Sequence, residues 1–122
     1  MNSKQDFEIE GIVKNFFEVL NANEPEQLAA LYAEDGMHIT PDNTRIGSAA
    51  ILDYYRTVAR RRGVPVVAKP GPVMIRGDCA AVQMTLWGGL QGSRCAFFTI
   101  SENKIAKLIT TSPFQSTLVD DS

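Results

Sequence analysis

Residues 11–56 read GIVKNFFEVLNANEPEQLAALYAEDGMHITPDNTRIGSAAILDYYR, and the succession of periods in this stretch decides the fold. Its first part belongs to a stripe running from Phe7 to Leu20. Ile9, Ile12, Val13, Phe16, Phe17 and Leu20 recur at steps of three and four, which places them on one helix face. Asn21 to Glu24 interrupt the stripe. Asn23 is a candidate cap for a second helix, with Pro25 in the first turn and Glu26 three residues after the cap. Leu28, Leu31 and Tyr32 form that helix's apolar face, and Asp35-Gly36 is expected to end it with Gly36 at positive φ. Met37 to Thr40 reads as a short strand, Pro41-Asp42-Asn43 as a turn, and Arg45-Ile46 as a brief return. Gly47-Ser48 opens a third helix whose buried stripe is Ile51, Tyr54, Tyr55 and Val58. Arg60, Arg61 and Arg62 stand in its last turn, facing the negative end of the helix dipole, and Gly63 closes it.

Downstream the period changes to two. Val64 to Arg76 is extended and carries Pro65, Pro70 and Pro72, which suit an edge strand or a bulge. Strands follow at Asp78 to Trp87, Arg94 to Ser101 and Ile105 to Ser112, separated by the turns Gly88 to Gly92 and Glu102-Asn103. Helices gathered before a run of antiparallel strands define the α+β class.

The totals fit one such domain. The chain has 122 residues and is 44% hydrophobic, enough for one packed core. A net charge of −2 gives no basic face for nucleic acid. No apolar run approaches a membrane helix, and the polar start MNSKQDFEIE has no hydrophobic signal region, so the expected location is cytoplasmic. Cys79 and Cys95, outside any CxxC pair, are expected as free thiols. One histidine and two scattered cysteines make no zinc site, and GGLQG lacks the lysine and helix of a phosphate loop, so no metal and no cofactor is expected. Arg60 to Arg62 fit a solvated helix end better than an anionic partner, and Cys95 has no evident base to make it a nucleophile.

The quoted stretch resembles the opening half of ketosteroid isomerase-like and SnoaL-type polyketide cyclase-like proteins, of the nuclear transport factor 2-like superfamily. The matching phrases are a first helix ending near Asn21-Ala22, the LYAEDG of residues 31–36, the loop proline Pro41, and the Gly-x-x-Ala-Ile of residues 47–51. The later strands match in number and length. The resemblance implies a single domain over residues 1–122 with a cone-shaped, cystatin-like fold: three N-terminal helices packed on a curved, mainly antiparallel sheet around a pocket. Strand alternation then turns Val82, Met84, Leu86, Ala96, Phe98, Ile100, Leu108, Thr110 and Ser112 inward, and Gln83, Thr85, Trp87, Phe97, Lys107 and Ile109 outward.

The resemblance is informative about chemistry chiefly by what is missing. Ketosteroid isomerase uses an Asp base and an oxyanion hole made of a Tyr and a protonated Asp. The matching positions are Phe16 for the Tyr, Thr40 for the base, and Cys95 or Ala96 for the second Asp. A steroid isomerase is therefore not expected. An epoxide hydrolase of the limonene-epoxide type needs inward Asp and Arg on the long strands, whereas Asp78, Glu102, Arg76 and Arg94 all stand near strand ends. His38 keeps catalysis open. It shares a strand face with Thr40, and its imidazole could act as general base or acid, or simply be satisfied within the core. One of Tyr54 and Tyr55 could orient a ligand carbonyl, or both could pack with hydroxyls reaching solvent. Thr40, Thr110 and Ser112 could add polar contacts, and Met37, Met74 and Met84 an adaptable lining, with Phe16 and Phe98 as apolar wall.

Two functional classes follow. One is an enzyme of isomerase, cyclase or dehydratase type acting on a small apolar or polyketide-like molecule through His38. The other is a non-catalytic carrier or association domain. A cavity with converging polar groups favours the first, and one filled by Phe16, Phe98 and Phe114 favours the second. The outward set Trp87, Phe97 and Ile109 is expected to pack a homodimer.

Overall fold

The computed structural model describes residues 3–62, 66–88 and 92–111. Three helices precede most of a six-stranded sheet: α1 (Ser3–Asn21), α2 (Pro25–Ala30), β1 (Tyr32–Thr40), β2 (Asn43–Ile46), α3 (Ser48–Arg62), β3 (Val66–Arg76), β4 (Cys79–Gly88), β5 (Gly92–Ser101) and β6 (Lys104–Thr111). The strand order is β2-β1-β6-β5-β4-β3. Every pairing is antiparallel except β1 with β6, so the curved sheet is mixed but mainly antiparallel.

Alternation assigns the faces as expected. Val82, Met84, Leu86, Ala96, Phe98, Ile100 and Leu108 are buried, while Gln83, Thr85, Trp87 and Phe97 are exposed. The α1 stripe supplies Ile9, Val13, Phe16 and Phe17 to the same core. The prolines of β3 lie where their missing N–H does least harm: β3 is an edge strand, and its register shifts between Pro70 and Val73. Asn21 closes the last turn of α1 onto that edge. Its Nδ2 donates to the Ala68 carbonyl at 2.9 Å, and its Oδ1 accepts from the Ala68 amide at 2.7 Å. Glu102 and Asn103, both at positive φ, form the two-residue turn between β5 and β6.

Two local expectations are corrected. The second helix ends at Ala30 rather than near Gly36, and Tyr32 to Gly36 is strand. Tertiary pairing outweighs the helical reading here, because the Ile105 amide donates to the Leu31 carbonyl and Tyr32 pairs with Ile105 on β6. Gly36 is therefore no cap. It sits buried where β1 shifts register, and a Cβ there would come within 3.0 Å of the Ala33 and Ile105 carbonyl oxygens. Asn23 is not the cap of α2 either. It takes positive φ, and Glu24 fills the cap position with no side-chain hydrogen bond.

No described helix is long and apolar enough to cross a membrane. Among the described residues no group of His, Cys, Asp and Glu is placed to hold a metal ion. Cys79 faces Thr99 across the β4–β5 ladder and Cys95 faces Gln83, so the two thiols are offset along the strands and both are free.

Candidate functional site

A cavity of about 580 Å³ lies between the helices and the concave face of the sheet. That volume falls within the range of small-molecule sites. Phe16 and Leu20 of α1, Met84 and Leu86 of β4, Ala96 of β5 and Leu108 of β6 give it apolar walls. The polar groups come from the α1–α2 loop, β1, the β1–β2 turn, β2, α3 and the near ends of β5 and β6.

His38 lies at the centre of the polar end. It pairs across the β1–β2 hairpin with Arg45 and on its other side with Leu108, and only 3% of its surface is exposed. Tyrosines surround the ring. Tyr55 stacks on it with centroids 5.6 Å apart, Tyr54 lies at 4.9 Å, and Tyr32 meets it edge-on at 6.3 Å. Its Nδ1 is buried without a hydrogen-bond partner among the described residues. Burial, with a smaller contribution from the Arg45 guanidinium, pushes its pKa from 6.5 down to about 4. The imidazole is therefore neutral at pH 7.

The tyrosines on α3 divide their roles. Tyr55 is buried, and its hydroxyl lies 2.7 Å from that of Tyr32. Burial raises the pKa of both phenols, so both remain protonated. Tyr54 carries the Arg45 guanidinium 4.0 Å above its ring. Both tyrosines line the cavity, where the sequence leaves open which of the two faces it. Neighbouring helix positions share the wall because the cavity wraps around this part of α3.

Thr40 is committed elsewhere. Its hydroxyl donates to Asp42 Oδ1 at 2.6 Å and accepts from Arg45 Nη1 at 3.1 Å. The Thr40 hydrogen bond and, more weakly, Arg45 hold the Asp42 carboxyl below its usual range. Thr40 thus positions Arg45 at the turn of the hairpin.

Of the residues singled out from the sequence, His38, Phe16, Thr40, Tyr54, Tyr55, Met84 and Thr110 line the cavity together. Phe98 does not line it. It is core, edge-on to Phe16 and Phe17 with centroids at 5.2 and 6.3 Å. Ser112 and Phe114 lie outside the described residues. Met74 is 71% exposed on the opposite sheet face, and Met37 alternates away from His38, so Met84 alone of the three methionines lines the cavity. Phe16, Thr40 and Ala96 are all on the cavity wall, while Cys95 points to the other face.

Three contributors escaped the sequence reading. Arg45 was legible in principle, since a turn at Pro41-Asp42 sets His38 opposite it. Arg94 was set aside as a strand-end residue, yet it shares the parity of Ala96 and Phe98 and lines the cavity. Tyr32, read as a helix residue, reaches Tyr55 from β1.

This arrangement, helices closing a cavity against a curved mixed sheet, defines a nuclear transport factor 2-like domain. Residues 13–108 match the model of the SnoaL-like domain, and the chain belongs to that family. Among solved structures, a provisionally assigned polyketide cyclase from Sinorhizobium meliloti is 27% identical with a TM-score of 0.72, over 82% of this chain and 93% of that one. SalBIII, an epoxide hydrolase/cyclase-like enzyme of pyran ring formation in the polyether salinomycin, is 18% identical with a TM-score of 0.74, over 87% of this chain and 91% of its own. A provisionally assigned ketosteroid isomerase from Kribbella flavida is 19% identical with a TM-score of 0.71, over 94% and 90% of the two chains. The last two share the fold. No curated protein matches the chain.

Proposed function

We propose that this domain binds a small, largely apolar molecule in its cavity and moves a proton on it, as an isomerase, cyclase or dehydratase does, with His38 as the proton carrier. One observation carries the reading: a buried, neutral imidazole, surrounded by Tyr32, Tyr54 and Tyr55, stands on the wall of the cavity beside Arg45. A base with a pKa near 4 is not too weak for the task, since the Asp base of ketosteroid isomerase titrates at about 4.6.

In this reading the substrate carbonyl lies toward Tyr55. When Tyr32 donates to the Tyr55 oxygen, the Tyr55 proton is left for a substrate oxygen. His38 takes a proton from the carbon beside the carbonyl, the C–H electrons pass into the enolate, and Tyr55 stabilises the oxygen. The imidazolium then returns the proton to carbon or to a leaving oxygen. The steroid reaction itself is not proposed. Phe16, Thr40 and Ala96 offer neither its base nor its oxyanion donors, so a β,γ-unsaturated steroid ketone should not be isomerised.

A carrier or association domain is the second reading. It is favoured by the lack of any carboxylate hydrogen-bonded to His38 among the described residues, since a catalytic imidazole is commonly oriented by one. Deuterium uptake separates the two. In heavy water with tetralone as probe, the protein should accelerate exchange beside the carbonyl, and His38→Gln should remove roughly 10²- to 10⁴-fold of that rate. Binding of tetralone without acceleration would leave the carrier.

The domain is further proposed to pair with a second copy through the sheet face away from the cavity. Met74, Ala81, Phe97 and Ile109 stand in register across β3, β4, β5 and β6, and Trp87 and Phe97 are 47% and 44% exposed on that face. Light scattering should give about twice the 13.4 kDa chain mass, and a monomer at micromolar concentration would refute the dimer.

A further inference from the structure

We propose that the cavity selects a molecule ending in a carboxylate, held between the guanidinium groups of Arg45 and Arg94, with its apolar body against Phe16, Met84 and Leu108. The inference rests on the reading of the cavity as a ligand site and does not depend on catalysis by His38. Arg45 on β2 and Arg94 on β5 both line the cavity and are both half-buried. They approach it from different sides. β2 and β5 are separated by β1 and β6, roughly 14 Å across the strands at about 4.8 Å per step, and the ladders set Arg45 level with Phe98, four residues or roughly 13 Å along β5 from Arg94; the Arg45 side chain reaches to Thr40, toward the Arg94 end of the sheet.

Among the described residues neither guanidinium has a carboxylate within 4.0 Å, although Arg45 acts weakly on Asp42 through space. Among the described residues the one ion pair within 4.0 Å is Arg56 with Glu26. Arg45 gives one Nη1 hydrogen bond to Thr40 and stacks on Tyr54, and Arg94 gives one Nη1 hydrogen bond to the Ser93 carbonyl at 3.2 Å. A guanidinium has five N–H donors in a planar fork suited to a carboxylate, so among the described residues most of this capacity is unspent in both. The acids on the same cavity do not fill the role. Glu24, Asp42 and Asp53 are exposed and sit outside ion-pair distance of either arginine. The charges are therefore layered, with cations farther in and anions nearer water. An anion entering between the arginines gains two charge-assisted partners. A neutral ligand of the same shape leaves them as they are.

Arg45 is also preorganised for this task. Tyr54 beneath it and Thr40 beside it fix the guanidinium before any ligand arrives, which lowers the ordering cost of binding. The neighbouring His38, neutral and buried, adds no second positive charge at pH 7.

The test compares naphthoate with naphthalenemethanol, which share a ring body and differ in the charged end, by titration calorimetry on the full chain. The wild type should bind naphthoate roughly tenfold or more tightly, as expected for charge-assisted hydrogen bonds. Arg45→Met and Arg94→Met should each remove most of that preference, read as the ratio of the two affinities within each variant, and circular dichroism reports whether each variant is folded. Equal affinities in the wild type, or a preference that survives both substitutions, would overturn the carboxylate proposal while leaving the cavity a ligand site. Binding of neither compound would overturn both.

Discussion

Two aromatic clusters sit on the same concave sheet, and they are built to opposite ends. One joins Phe16, Phe17 and Phe98 edge-to-face, with centroids 5.2 to 6.3 Å apart. The other gathers Tyr32, His38, Tyr54 and Tyr55 at similar spacings. The phenylalanine cluster has no polar atom to satisfy, so its best arrangement fills space, and Phe98 is 1% exposed. In the second cluster every ring carries a polar tip that must find a partner. The Tyr32 and Tyr55 hydroxyls find each other, whereas His38 Nδ1 finds none. Among the described residues the two clusters differ less in their burial than in the hydrogen-bonding capacity they leave unmet.

The sharpest way to break this comparison is through Phe98. Phe98→Ala should cost about 3–5 kcal/mol in urea denaturation, because it opens a void among Phe16, Phe17 and the strands. Since Phe98 is not on the cavity wall, ligand affinity of the folded fraction should change little. A cost below about 1 kcal/mol would mean that this cluster is not the packed core described here.

Next in size is the pH response of the second cluster. His38 titrates at about 4 when folded and near 6.5 when free, so between these values the unfolded chain binds more protons. The stabilisation is complete above pH 6.5, declines as pH falls, and is gone below about 4. The span is on the order of 3 kcal/mol. Arg45 is the charged group facing His38, and Tyr32 and Tyr55, whose pKa values burial raises, remain protonated through this range, so the loss belongs to the imidazole. His38→Gln should lack this component: its stability should fall less than that of the wild type between pH 7 and 4.5. Parallel pH profiles would contradict the burial of a neutral imidazole.

The smallest effect is expected at Tyr32. Tyr32→Phe leaves the buried Tyr55 hydroxyl without its partner and should cost about 1–2 kcal/mol. In the enzyme reading it should also slow deuterium exchange, since Tyr55 would lose the hydrogen bond that directs its proton toward the substrate. A stability loss with unchanged exchange would assign the pair to structure alone.

The contrast also explains what could be read from the chain before its structure. The apolar cluster follows from periodicity, since Phe16 and Phe17 belong to the α1 stripe and Phe98 to a strand of clean alternation. His38 and Thr40 could be placed on one face for the same reason. Arg94 was missed although its parity with Ala96 was plain, because nearness to a strand end was taken to mean exposure. Tyr32 and Gly36 were misread because a segment of helical character, LYAEDG, is captured as strand by pairing with β6, a partner more than seventy residues away. Local pattern carries no record of such a pairing. Nor could pattern reveal that Thr40 holds Arg45 rather than a ligand, since that depends on how the hairpin closes around Asp42.

His38 is the chain's single histidine, so its ring signals identify themselves in an NMR titration. The Cε1–H shift followed from pH 8 to pH 3.5 tests most directly whether the polar end of the cavity holds a neutral imidazole shielded from water. The account predicts no titration through pH 6 and a midpoint near 4. A midpoint at about 6.5, the value of an imidazole in water, would contradict it.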